Sequence, residues 1–228
     1  DEEIFVTGPA QKSAIEQART EVKNGQTISA NKADKEIDEW LNETYPSSMM
    51  YREPILWNDP RYSNPAKPVI GVTWFEARAY CKWLSAQLNI RFDLPSEVQF
   101  EAAGRGIKGR QYPYGNHFEP IRSNTFEMRI GRTTPVGIFD NATPEGAHDL
   151  TGNIYTWTLS IYDAERHPYP YSSDDGREDV TVNAYRMIRG GSWVNSHRFA
   201  RISYRFTYPL NRYDNIGFRL CRPLQAET

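Results

Sequence analysis

The stretch Pro68-Val69-Ile70-Gly71-Val72-Thr73-Trp74-Phe75-Glu76-Ala77, running on through Ala79-Tyr80-Cys81-Lys82-Trp83-Leu84, is where the chain first declares a structure. Thr73 and Glu76 have capping-box spacing: the hydroxyl can take the third helical N–H while the carboxylate returns to the N–H of the cap residue. A helix is predicted from about Trp74 to Leu88, with Ala77, Tyr80, Cys81, Leu84 and Leu88 as its apolar face. Ser96 and Gln99 repeat the device, opening a short helix that carries Phe100 and Ala103 and ends at Gly104 or Gly106.

Upstream, Ile15, Ala18 and Val22, then Ile37, Trp40 and Leu41, recur at helical spacing around an Asn24-Gly25 turn, predicting a helical extension over 1–50. From Arg52 to Pro68 the chain is rich in Pro and Asn, so irregular backbone is expected, with Trp57 and Tyr62 as anchors. Downstream of Tyr112 the pattern predicts short strands and turns, around Tyr112-Pro113-Tyr114-Gly115-Asn116, Thr133-Thr134-Pro135-Val136-Gly137 and Asp149-Leu150-Thr151-Gly152-Asn153. Gly152, Gly190 and Gly191 are expected where a side chain would obstruct a turn or a close approach, and Trp74, Trp83, Trp157 and Trp193 as core pegs. The expected architecture is α+β and loop-rich: one domain over 1–228, with packed helices early and short antiparallel strands late.

Bulk properties narrow the function classes. The formal net charge of -2 advertises neither a nucleic-acid nor an anionic-membrane partner. No apolar run is long enough for a membrane-spanning helix. Two cysteines, Cys81 and Cys221, are too few for a disulfide framework or a cysteine zinc site. Free thiols favour a reducing, cytoplasmic setting. The chain opens on Asp1 rather than Met, which leaves room for an upstream domain in a longer protein, or for surface display if a signal has been removed. The four histidines, His117, His148, His167 and His197, show no paired helical spacing, and no Ser-His-Asp, Gly-x-Ser-x-Gly or phosphate-loop pattern occurs.

Pro68–Leu84, Leu94-Pro95-Ser96-Glu97, Tyr112-Pro113-Tyr114-Gly115, Leu150-Thr151-Gly152-Asn153, Arg189-Gly190-Gly191-Ser192-Trp193 and Gly217-Phe218-Arg219-Leu220 follow one another in a fixed order. Together, over about residues 65 to 223, they resemble the formylglycine-generating-enzyme (sulfatase-modifying) family, whose domain also forms part of ergothioneine synthases. The resemblance implies a C-type-lectin-like fold. It leaves the stretch before about Tyr51 outside, and it implies copper chemistry at two cysteines just after the Gly-Gly-Ser-aromatic motif. Here Asn195 stands near the first of those positions and no cysteine follows until Cys221, so a soft-ligand copper site is not expected. The ergothioneine branch implies iron held by spaced histidines, which this chain lacks. The resemblance also implies structural calcium near Asp149, Gly152 and Ile154. Thr156 replaces the family's glutamate there, leaving a weak site at best. Family members link the helix cysteine to the last strand, directly after Gly-Phe-Arg. Leu220 holds that place here and Cys221 is offset by one, so no disulfide is predicted.

Between the last two motifs lies Val194 to Ile216, punctuated by Arg198, Arg201, Arg205 and Arg212 as a framework. It contains no Lys, Glu, Gln, Met or Trp, although all five occur elsewhere. A codon randomised at two positions but ending in a pyrimidine cannot encode those five types. Residues 189–221 therefore look like the variable region of a diversity-generating-retroelement target protein. Such a region implies a non-catalytic binding surface of Val194, Asn195, Ser196, His197, Phe199, Ile202, Tyr204, Phe206, Tyr208, Leu210, Tyr213 and Asp214, exposed on a rigid scaffold. A protein is the expected ligand, with no nucleic acid, no membrane insertion and no required cofactor. The alternative is an iron- or copper-dependent oxidase-family enzyme or its non-catalytic subunit.

Overall fold

The computed structural model describes residues 53–163, 167, 170–172 and 174–222. The helices expected before residue 51 lie outside the described residues. Both capping boxes form. The Thr73 hydroxyl accepts the Glu76 N–H at 3.2 Å, and the Thr73 N–H donates to the Glu76 carboxylate at 2.8 Å. Ser96 and Gln99 repeat the exchange at 3.1 and 2.8 Å. They open helices α1, Trp74–Leu88, and α2, Glu97–Arg105.

The buried face of α1 is rotated from the expected one. It carries Trp74, Ala77, Arg78, Ala79 and Cys81, while Tyr80 is exposed and packs its ring on Trp83 and Phe218. Arg78 goes inside because Asp93 meets its guanidinium with two 3.1 Å hydrogen bonds, so a charge enters the core already paired. Helix α2 ends at Gly106, not Gly104. Gly104 stays helical, and a Cβ there would come within 2.6 Å of the Ile202 side chain, so its smallness serves packing.

Four short strands follow: β1 Tyr155–Ile161, β2 Arg186–Arg189, β3 Phe206–Tyr208 and β4 Ile216–Gly217. They form one sheet in the order β3-β2-β1-β4. The β1–β2 and β2–β3 pairs are antiparallel as expected, whereas β4 lies parallel to β1. The chain therefore passes from one edge of the sheet to the other between β3 and β4. The main core gathers Val72, Trp74, Leu94, Tyr155, Trp157, Ile188 and Ile216. Trp74 and Trp157 are fully buried with their indole N–H groups donating to Thr158 O and Val72 O, at 2.8 and 3.1 Å. Trp83 and Trp193, expected as pegs, are only half-buried. Arg186 crosses the core over the Trp74 ring, 4.3 Å from its centroid, and donates to the carbonyls of Leu159, Asp179 and Val182. Burial pushes its guanidinium pKa down to about 10.

The strands expected from Tyr112 onward do not form before β1. Residues 106–154 hold two single 3₁₀ turns and one isolated bridge, Tyr112 with Gly115. Pro113 has no N–H to give a ladder, and side-chain amides take over as backbone partners. The Asn153 amide accepts the Thr134 N–H at 2.9 Å and donates to Thr134 O, while the Asn124 amide donates to Arg132 O. Trp57, expected as an anchor, is exposed, because the Pro- and Asn-rich segment closes on itself through local turns at Asp59 and Asn64. No helix among the described residues is long and apolar enough to cross a membrane.

Cys81 and Cys221 are buried free thiols. Burial pushes the Cys81 thiol up to about 12, so it carries almost no thiolate at neutral pH. We expect neither cysteine to react promptly with a thiol reagent in the native protein and both to titrate once it is unfolded. A single rapid native equivalent would contradict this packing.

Candidate functional site

The surface built by residues 194–216 is rooted in the turn that leaves β2. Gly152, Gly190 and Gly191 all take positive φ, as their places in the sequence suggested. At Gly191, φ is 70° and a Cβ would meet the Ala200 Cα at 2.8 Å, so only glycine lets the outgoing chain lie against its return. The next turn is closed by Asn195, whose side-chain oxygen accepts the Ser192 N–H at 3.1 Å and the Ser192 hydroxyl at 2.5 Å. Its carbonyl accepts the Phe126 N–H at 2.9 Å. Asn195 thus stands where the resemblance places a reactive cysteine, and its amide is turned into its own loop rather than displayed.

His197 is held from outside the segment. Its N–H and Nδ1 both meet one oxygen of Glu127, at 3.0 and 2.8 Å, and its ring stacks on Phe118 with centroids 4.8 Å apart. Burial opposes ionisation of Glu127, but hydrogen bonds from the His197 backbone and ring outweigh it and hold the carboxyl down at about 2. The stability this contributes is complete above the ordinary value of 4.5 and is lost as the pH falls through about 2.

Ile202 corrects the expectation of a uniformly exposed segment. It is 0% exposed, packed with Phe100, Ala103, Ala147 and Leu150 above Gly104, and its N–H donates to Gln111 O at 2.9 Å. It is a plug that seats the loop, not a contact for a ligand. After it the chain is extended and side chains alternate. Arg205 and Thr207 turn inward: Arg205 makes two bonds to Glu97, at 2.7 and 2.6 Å, and the Thr207 hydroxyl donates to Arg186 O at 3.0 Å. Tyr204, Phe206 and Tyr208 share the other face. Their rings continue a chain that begins at Phe199: Phe199 to Tyr204 is 5.0 Å, Tyr204 to Phe206 6.1 Å, Phe206 to Tyr208 5.3 Å and Tyr208 to Tyr213 4.6 Å. Phe199 and Phe206 are 39% and 38% exposed. Tyr204, Tyr208, Leu210 and Tyr213 are less displayed than expected: all four are half-buried, and the last three also pack against the main core.

The arginine framework is half of what the sequence suggested. Arg205 is fixed by Glu97, and Arg212 by the Glu76 carboxylate of the first capping box. Arg198 and Arg201, by contrast, are exposed, and among the described residues the Arg201 Nε donates to Arg198 O alone, at 3.1 Å. Val194 and Asp214 are exposed, and Ser196 is half-buried. Sequence reasoning missed Glu76, Glu97, Glu101 and Glu127 as the acidic staples, and Tyr155, which stacks beneath Phe206 at 6.3 Å. A segment with several arginines and no lysine called for bidentate carboxylate partners, and the helices' acidic residues were there to supply them.

The calcium candidates are already engaged within the protein. The two Asp149 carboxylate oxygens accept the Gly137 N–H at 2.6 Å and the Asn141 amide at 3.0 Å, and Gly152 O accepts the Ile154 N–H at 2.9 Å. The Arg219 guanidinium donates to Asp149 O at 3.0 Å, bringing a positive charge to the same residue. Among the described residues no three His, Cys, Asp or Glu side chains gather as a metal site.

The chain is similar to the bovine (Bos taurus) inactive C-alpha-formylglycine-generating enzyme 2, with 34% identity over 170 residues, covering 67% of this chain and 49% of that one. It is similar to hercynine oxygenase of Mycolicibacterium thermoresistibile, with 30% identity over 184 residues, covering 72% of this chain and 38% of the relative. The chain thus spans about half or less of the length of these curated relatives. Treponema denticola variable protein 1 shares the fold at a TM-score of 0.61, with 20% identity, over 77% of this chain and 80% of that one. Residues 12–224 match the sulfatase-modifying factor enzyme 1-like domain, so the likeness reaches well into the N-terminal stretch that the motifs alone had left outside. With α1, α2, the small mixed sheet and the Gly-Gly-Ser-Trp and Gly-Phe-Arg motifs all in place, the chain belongs to the sulfatase-modifying factor (formylglycine-generating-enzyme) family.

Proposed function

We propose that this chain is a non-catalytic binding protein whose residues 194–216 form a diversified, aromatic surface for a protein ligand, needing no cofactor. The observation that carries this is the division of labour within one segment. Ile202, Arg205, Arg212 and Asn195 fasten the backbone, while Phe199, Tyr204 and Phe206 stand in a row on its outer face. Rigid aromatic side chains cover area at little rotamer cost, which suits a surface that must bind by side-chain identity alone. Support at the level of relatives is that one similar protein is named inactive and that one protein sharing the fold is named a variable protein.

The test is genomic and biochemical. A nearly identical, Asn-codon-rich copy of the 189–221 coding segment beside a reverse-transcriptase gene is expected. Differences between diversified copies are expected at Val194, Phe199, Tyr204, Phe206 and Asp214 and not at Ile202, Arg205 or Arg212. Absence of that copy would remove the diversification. The likeness to a hercynine oxygenase favours a second reading, a metal-dependent oxidase or its partner subunit. Stoichiometric iron or copper in the purified protein would favour that reading and overturn ours.

A further inference from the structure

The aromatic row is electrically lopsided, and this bears on what it takes. At the Phe199 end, Arg198 and Arg201 are exposed, and neither forms an ion pair among the described residues. At the Tyr213 end stands exposed Asp214. Between them the rings of Tyr204, Phe206 and Tyr208 repeat every 5.3–6.1 Å. That is close to the roughly 6.6 Å between same-face side chains of an extended chain rising about 3.3 Å per residue. Moreover, β3, which carries Phe206, is an outer strand of its sheet.

We infer that the surface docks an extended segment of a partner protein lying along β3, apolar over Tyr204 and Phe206 and acidic where it reaches Arg198 and Arg201. This rests on the binding function proposed above and adds the ligand's chemistry and direction. Two exposed arginines flanking exposed Phe199 in the chain match a carboxylate followed by apolar side chains. A single-stranded nucleic acid fits less well: a backbone-tracking groove needs cations along its length, and here Asp214 ends the row within a chain of net charge -2.

Selection of a displayed random-peptide library on the whole chain tests this, run in parallel on an R198E/R201E variant and a Y204S/F206S variant. Both arginines are exposed, and a thermal melt checks that each variant is folded. Peptides selected on the unmodified chain are expected to carry Asp or Glu beside an apolar stretch. They should bind the R198E/R201E variant at least about tenfold more weakly, because like charges then face each other. That variant should in turn select Lys- or Arg-bearing peptides. Acidic peptides that bind the R198E/R201E variant undiminished, or that a single-stranded oligonucleotide displaces, would overturn the inference while leaving the aromatic surface as the binding site. Peptides that bind the Y204S/F206S variant undiminished, or a selection that yields none on the unmodified chain, would remove the proposed function with it.

Discussion

Replacing Glu97 with alanine is expected to lower folding stability by about 3–5 kcal/mol, the usual cost of removing one partner from a buried ion pair. The Glu97 side chain is 2% exposed, receives two hydrogen bonds from Arg205, and lies 3.6 Å from a fully buried Arg177 nitrogen. Arg177 retains Asp175 at 2.6 Å, so the loss falls mainly on Arg205, which would be left beside the core without its carboxylate. Arg205 fixes the inward face of the segment whose outward face holds Tyr204 and Phe206, so display should loosen with stability. Urea unfolding measures the first effect, and hydrogen exchange across 203–208 the second. A loss under about 1 kcal/mol would mean the pair behaves as a solvated surface bridge and does not staple the loop.

Substituting alanine at Gly191 is expected to cost about 3 kcal/mol or more, because two penalties combine. The backbone sits at φ 70°, where a Cβ is disfavoured, and that Cβ would lie 2.8 Å from Ala200 Cα and 3.0 Å from Phe199 O. Those contacts are backbone, which cannot swing aside as a side-chain tip can. Gly131 provides the control: its φ is 71°, and a Cβ there meets nothing within 4 Å. Alanine at Gly131 should therefore cost only the backbone term, about 1–2 kcal/mol. Equal losses at the two positions would show that the close approach of residues 191 and 200 has no energetic weight.

Local chemistry made the helices and the family legible. Thr73 with Glu76 and Ser96 with Gln99 determine where α1 and α2 begin, because capping needs only residues three apart. The Gly-Gly-Ser-Trp and Gly-Phe-Arg motifs likewise marked the limits of the candidate surface. Strand placement was less legible: the stretch after Tyr112 has turn residues in abundance, but its backbone groups are satisfied by Asn124 and Asn153 rather than by a ladder. That choice depends on partners eight to nineteen residues away.

Within 194–216 the sequence by itself determined the chemical inventory: aromatic residues, arginines without lysines, and an asparagine in place of a metal-binding thiolate. Only the tertiary structure decided which of them face outward. Ile202 and Phe206 are both large and apolar, yet one fills the space above Gly104 and the other stands on an outer strand. Arg205 and Arg201 carry the same group, yet only Arg205 meets a buried carboxylate. The physical reason is that caps and turns are settled by neighbours in the chain, whereas burial is settled by volume and charge contributed from α2, a helix roughly a hundred residues earlier.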